Sequence, residues 1–183
     1  MSLRLFAALA LPDEIAARLI ALQKGVPAAK WRPRENLHLT LRFFGEVQEP
    51  IAEEIDAELA SLASRHRPFE LQLKAAGTFG GSEPHSLWIG AAKNEALDKL
   101  AADCERAARR AGLKTDAHKF MPHVTLAYLS GAVDLPRVQA FETRSGLFET
   151  EPFWIEEFSL YSSVTRKGAP SLYRAEADYP LGI

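Results

Sequence analysis

Two short segments carry the residues best suited to chemistry: Leu37-His38-Leu39-Thr40-Leu41-Arg42-Phe43 and Pro122-His123-Val124-Thr125-Leu126-Ala127-Tyr128. Both contain His-x-Thr-Leu, and 85 positions separate the two histidines. In an extended strand successive side chains point to opposite faces, so each histidine shares a face with its threonine. In the first segment Arg42 joins them, with Leu37, Leu39, Leu41 and Phe43 on the reverse. In the second, His123, Thr125 and Ala127 oppose Val124, Leu126 and Tyr128. Two imidazoles with ordinary pKa values near ~6.5 can serve as a general acid and a general base around neutral pH. Threonine hydroxyls can donate hydrogen bonds to an oxygen-rich, negatively charged centre. A phosphodiester asks for this set: an activated water on one side, a proton for the leaving oxygen on the other, and donors for the non-bridging oxygens.

Other chemistries fit less well. Two histidines without a carboxylate or thiol at ligand spacing are too few to hold a metal, so neither metal nor cofactor is expected. A serine hydrolase would show a Gly-x-Ser-x-Gly elbow and would leave one histidine idle. A lone histidine on a strand is ordinarily structural, and His66, His85 and His118 are read that way.

The two segments must be carried to one point, and the rest of the chain shows how. Residues 3–10 form a short apolar run read as a strand. Pro12-Asp13-Glu14 opens a helix with Ile15, Leu19 and Leu22 on its apolar side, ended by Gly25. A loop leads into the His38 strand. A helix carrying Ile51, Ile55, Leu59 and Leu62 comes next, then an alternating strand from Pro68 to Lys74. From Ser86 the order repeats. Leu87 to Gly90 make a strand, and Asn94 caps a helix with Leu97, Leu100, Cys104 and Ala107, with Gly112 beyond its end. The His123 strand is next, then a helical piece around Leu135, Val138 and Phe141, and a strand opening with Pro152-Phe153. Residues 171–181 read as a closing hairpin strand after the turn at Lys167-Gly168.

This repetition predicts a duplicated α+β chain, with halves at about 2–80 and 85–165 in a single bilobal domain. Two antiparallel sheets would face a central cleft, with helices outside. A pseudo-twofold axis would then turn His38 toward His123.

Composition sets bounds on this reading. The 183 residues carry 22 Lys+Arg against 24 Asp+Glu, so no global field drives binding to nucleic acid and any anion site is local. The single cysteine, Cys104, excludes an intrachain disulfide framework and fits a reducing cytoplasm. The apolar opening is short, contains Arg4 and meets Pro12-Asp13-Glu14, so it is read as a buried strand, with a secretory signal as the alternative. No run approaches the length of a transmembrane helix.

Several stretches together resemble a known family. They are the Arg4-Leu5-Phe6 opening, Trp31 followed by Glu35-Asn36-Leu37-His38-Leu39-Thr40-Leu41-Arg42-Phe43 and Gly45, and Phe120 with Pro122 to Ala127. The tail, Leu160-Tyr161-Ser162-Ser163 through Tyr179-Pro180-Leu181, is similar too. The likeness is to the bacterial RNA 2′,3′-cyclic phosphodiesterases, a LigT-like family of the two-histidine (2H) phosphoesterase superfamily, and it spans essentially the whole chain. It implies metal-free hydrolysis of RNA 3′ ends or nucleotides bearing a 2′,3′-cyclic phosphate to the 2′-phosphate. It also implies the reverse 2′–5′ joining of RNA as the same chemistry run backwards. By this likeness His38 is the proton donor to the departing 3′ oxygen, His123 is the proton acceptor that activates water, and Thr40 and Thr125 hold the phosphate oxygens.

Two positions depart from the family pattern. Tyr128 stands where relatives often carry Arg, and Met121 where a polar or basic residue is common. Arg42 is the expected local replacement for the positive charge, with a solvated strand-end arginine as the alternative. Lys30, Arg32 and Arg34 around Trp31, and Lys119 with Phe120, suit a terminal nucleotide through phosphate pairing and stacking. The alternative is that Trp31 and Phe120 plug the interface between lobes. Arg106, Arg109, Arg110 and Lys114 read as an exposed helix face. Duplication supplies both halves of the site within one chain, so a monomer is expected. A competing function is an RNA-end or 2′-nucleotide binding module with little turnover.

Overall fold

Leu5 to Leu9 are each at most 3% exposed, because strand β1 (Ser2–Ala10) lies in the middle of a sheet and is covered on both faces. The structure is a computed structural model that describes residues 2–182. After β1 come helix α1 (Asp13–Ile20), the short strand β2 (Lys30–Trp31), a single 3-10 turn (Arg34–Asn36) and β3 (His38–Gln48). Helix α2 (Glu49–Ala63), β4 (Phe69–Leu71) and β5 (Leu73–Phe79) complete the first half. The second half runs β6 (Ser86–Ala91), α3 (Glu95–Arg110), β7 (His123–Tyr128), α4 (Leu135–Ser145), β8 (Phe153–Ile155), β9 (Glu157–Arg166) and β10 (Ala169–Pro180).

The helices form where the apolar spacing places them. Ile15, Ala16 and Leu19 are the buried side of α1, and Ile55, Leu59 and Leu62 that of α2. Asn94 caps α3 by accepting the Leu97 N–H at 3.0 Å, and Leu97, Leu100, Cys104 and Ala107 are buried beneath it. Gly112 ends that helix at φ +91°, a left-handed conformation in which a Cβ is strained. Asp134 caps α4, which buries Val138 and Phe141 but leaves Leu135 exposed. Helices α2 and α3 pack on each other, α3 lies against β3, and α4 lies against β5. None of the described helices is long and apolar enough to cross a membrane.

The large sheet has the order β10-β9-β1-β3-β7-β6-β5, with β2 beside β7, and neighbouring strands run antiparallel throughout. The expected α+β architecture of two antiparallel sheets facing a cleft holds, with one refinement. Two half-sheets meet along a narrow seam, where β3 and β7 pair through Leu39 and Val124. The halves of the chain also trade strands: β5 from the first half pairs with β6, and β9 from the second pairs with β1.

The trade begins where the sequence reads as one strand. Phe69–Leu71 pairs with Phe153–Ile155 in a separate two-stranded sheet, so β4 and β8 pair with each other where the halves meet. The chain then breaks at Gln72 and at Glu156. There the backbone carbonyls accept N–H groups from Ala92 and Leu181, each at 2.9 Å. Beyond each break the next strand crosses to the other half-sheet. The tail forms the expected closing strand, β10, against β9.

Candidate active site

A β-bulge follows the motif threonine in each motif strand, and β3 has a second irregularity farther on, at Phe44. On β3, Ala8 pairs with Thr40 and Ala7 with Arg42, so Leu41 is the extra residue. On β7, Trp88 pairs with Thr125 and Leu87 with Ala127, so Leu126 is the extra residue. A bulge adds one residue to one strand and re-aims the side chains beyond it. Before the bulge, His38 and Thr40, like His123 and Thr125, face the cleft as the alternation predicts. After it the phase flips. Phe43 and Tyr128 line the cleft, whereas simple alternation puts both on the reverse face.

The same flip corrects the expectation for Arg42. Its guanidinium turns out of the main cleft into a neighbouring groove against α3, where it pairs with the Glu105 carboxylate. It also donates to the backbone carbonyls of Phe43 and Lys114, the latter at 2.8 Å. Thr40 and His123 reach the edge of that groove, but Arg42 does not line the cleft in which both histidines meet.

That cleft has a volume of about 550 Å³. His38, Thr40, His123 and Thr125 line it with Arg4, Arg32, Asn36, Phe43, Tyr128 and Tyr173, and among the described residues no carboxylate side chain does. Among the described residues no group of three His, Cys, Asp or Glu is placed to hold a metal ion.

The His123 imidazole is oriented by the backbone two residues before it. His123 Nδ1 lies 2.6 Å from the Met121 carbonyl, a short hydrogen bond in which the ring N–H donates. For His123 this leaves Nε2 as the ring nitrogen free to exchange a proton. For His38 the backbone of Asn36, also two residues back, favours the protonated ring. Asn36 itself is buried, and its side-chain amide donates to the Ser171 carbonyl at 3.0 Å. That bond ties the segment just before His38 to the β9–β10 hairpin that walls the cleft.

The two environments differ. His38 stacks on Phe6 with ring centroids 4.9 Å apart, and Tyr173 meets it edge-on at 5.3 Å. Burial among these rings pushes its pKa down to about 4; positive charge on His123 and Arg32 adds to this, and the Asn36 carbonyl opposes it. His123 meets Phe79 edge-on at 4.9 Å and lies beside Trp88. Burial lowers its pKa as well, against the opposing bond to Met121. Burial raises the pKa of Tyr173, which keeps its hydroxyl protonated.

Positive charge in the cleft comes from residues the motifs do not contain. Arg32 sits 5.0 Å over the Tyr128 ring, and Arg4 sits 5.3 Å over that of Phe43. Neither is in an ion pair among the described residues. Arg32 belongs to the basic stretch before the first motif. Arg4 carried no sequence signal beyond family likeness, because its role depends on how β1 lies beside β3.

The remaining candidates disperse. Trp31 packs against the core beside Phe141, and Phe120 is half-buried; neither lines the cleft. Arg34 is spent on Asp13 and the Leu11 carbonyl. Lys30 and Lys119 lie outside the main cleft, and Met121 is exposed. Arg106, Arg109 and Arg110 lie on the outer side of α3, with Arg106 on Asp103 and Arg110 on Glu58. His66 bonds Asp103 at 2.6 Å, His118 bonds Asp116, and His85 is exposed.

Residues 11–167 match the model of the 2′-5′ RNA ligase superfamily. An RNA 2′,3′-cyclic phosphodiesterase of Aeropyrum pernix is 34% identical over 158 residues, covering 84% of this chain and 88% of that protein. One of Bacillus subtilis is 28% identical over 163 residues, covering 86% and 89%. The crystal structure of E. coli LigT with 3′-AMP superposes at a TM-score of 0.80 with 26% identity, covering 99% of each chain. With paired His-x-Thr strands facing across one cleft and a match over most of its length, this chain belongs to the 2′-5′ RNA ligase superfamily of 2H phosphoesterases.

Proposed function

We propose that this protein is a hydrolase that opens the 2′,3′-cyclic phosphate at RNA or nucleotide ends and leaves a 2′-phosphate. The observation that carries this reading is the meeting of His38, Thr40, His123 and Thr125 in one cleft that, among the described residues, no carboxylate side chain lines. The relatives named RNA 2′,3′-cyclic phosphodiesterase support it.

In the proposed reaction the Thr40 and Thr125 hydroxyls donate to the non-bridging phosphate oxygens. His123, held through Nδ1, takes a proton from water at Nε2 as the new P–O bond forms. The P–O3′ bond breaks on the opposite side, and His38 gives its proton to the departing oxygen. The deeper burial of His38 makes its protonated form the stronger acid of the pair, which suits transfer to an alkoxide but leaves the single proton of the free enzyme resting more on His123. The anionic substrate raises the pKa values of both histidines on entry and so helps load the acid. With a 5′-hydroxyl in place of water the same steps give a 2′–5′ linkage: the P–O5′ bond forms as the P–O3′ bond breaks, His123 takes the proton of the hydroxyl, and His38 protonates the departing 3′ oxygen.

One chain supplies both histidines, which supports a monomer as the working unit. The lone buried cysteine supports a reducing, cytoplasmic setting. Incubation with adenosine 2′,3′-cyclic phosphate, with 2′-AMP resolved from 3′-AMP, tests the reading. Accumulation of 2′-AMP is expected, and 3′-AMP as the product contradicts it. Binding of 2′-AMP without turnover identifies a binding module instead.

A further inference from the structure

The cleft holds more recognition chemistry than a cyclic phosphate requires. Phe43 and Tyr128 are 42% and 46% exposed, large rings left open to solvent at its edge. Each has a guanidinium over it, Arg4 on Phe43 and Arg32 on Tyr128. Cations interleaved with open aromatic faces bind single-stranded nucleic acid, the rings stacking bases and the charges meeting phosphates.

The two pairs lie at different depths. Arg32 acts on both His38 and Tyr173, whereas Arg4 reaches Tyr173 but not His38. Arg4 is farther out. On β1, Ala10 pairs with His38, Ala8 with Thr40 and Phe6 with Phe43, whereas Arg4 lies beyond them opposite Glu46. Six residues of strand span roughly 20 Å, more than the arginine side chain recovers by leaning back over Phe43.

We infer that Arg4 and Phe43 form a second subsite for the RNA strand leading to the cyclic end, with Phe43 stacking a base and Arg4 meeting a backbone phosphate. This rests on the cyclic phosphodiesterase reading and extends it: the preferred substrate is an oligonucleotide 3′ end, not a mononucleotide. The bulge at Leu41 creates the subsite, because only the flipped phase brings Phe43 to the cleft beside Phe6.

The test compares kcat/KM for adenosine 2′,3′-cyclic phosphate with that for an adenylate trimer ending in the same group. Wild type, Arg4→Ala and Phe43→Leu are assayed, with circular dichroism to confirm folding. The wild type is expected to favour the trimer by about tenfold or more, the worth of one stacked base and one phosphate contact. That ratio should fall toward one in both variants. The salt dependence of trimer binding should weaken by about 0.7 in log–log slope in Arg4→Ala. A wild type without preference, or a preference that survives in folded Arg4→Ala, overturns the subsite. Binding of a trimer bearing a terminal 2′-phosphate is followed in parallel, so absence of turnover does not hide the answer. Arg4-dependent trimer binding without hydrolysis removes the catalytic reading and keeps the subsite, and Arg4-independent binding removes the subsite whatever the turnover.

Discussion

Leu39 and Val124 pair where β3 meets β7, and each is the chain neighbour of a cleft histidine, His38 or His123. Both side chains are fully buried. Among the described residues this is the one register pair that joins the two half-sheets through their motif strands. The distance between the imidazoles therefore depends on a contact made by apolar residues on the far side of each strand.

Replacing Leu39 with Ala should cost about 2–5 kcal/mol through lost burial and the cavity left behind. It should also lower kcat at temperatures where the variant is still folded, since the seam sets histidine placement. Urea denaturation and steady-state kinetics on one preparation check both effects.

The depressed histidines give stability a defined pH dependence. A histidine whose pKa is about 4 when folded and ~6.5 when unfolded binds its proton more readily in the unfolded chain. Its stabilising contribution is complete above pH ~6.5 and is lost as pH falls toward 4, by on the order of 3 kcal/mol. The difference in unfolding free energy between wild type and His38→Gln, followed from pH 7 to 4, should show this slope. A flat difference contradicts the burial of His38.

The same shifts fix the acid–base profile. Productive free enzyme carries one proton on the coupled pair, and both pKa values are lowered. The bell in kcat/KM should therefore have its optimum below pH ~6.5. The kcat optimum should lie higher, because bound phosphate anion raises both values. Profiles against adenosine 2′,3′-cyclic phosphate check the order.

Arg42 separates two uses of one residue. Its ion pair with Glu105 is largely shielded, with the side chains 11% and 23% exposed. Arg42→Ala strands the carboxylate and should cost about 1–3 kcal/mol in stability. KM for the cyclic mononucleotide should stay unchanged within error. A large rise in KM without loss of stability would return Arg42 to substrate binding.

Gly77 tests the support behind His123. A Cβ there would lie 2.4–2.9 Å from Trp88 ring atoms, and that ring neighbours both Phe79 and His123. Gly77→Ala should destabilise by about 1–3 kcal/mol through overpacking. The imidazole NMR signals of His123 should shift more than those of His38.

The sequence made the order of elements legible because helical spacing, caps and the repeated His-x-Thr-Leu are local signals. It also brought His38, Thr40, His123 and Thr125 to one cleft, since alternation holds over three residues. Alternation failed one residue later, at Leu41 and Leu126. A bulge is fixed by pairing with the neighbouring strand and leaves no mark in the residues that carry it. That is why Arg42 exchanged places with Phe43, and why Tyr128 faces the cleft. The strand trade at Gln72 and Glu156 was hidden for a related reason: pairing partners are long-range. Arg4 illustrates the remainder, a residue given its place by the neighbouring strand.

The most direct measurement is kcat for adenosine 2′,3′-cyclic phosphate hydrolysis by His38→Ala, His123→Ala and the double variant, all shown to be folded. Paired acid–base catalysis predicts a loss of about 10²–10⁴-fold in each single variant. The double variant should lose far less than the product of the two, since the histidines act as a unit. Wild-type kcat in either single variant would contradict the paired mechanism.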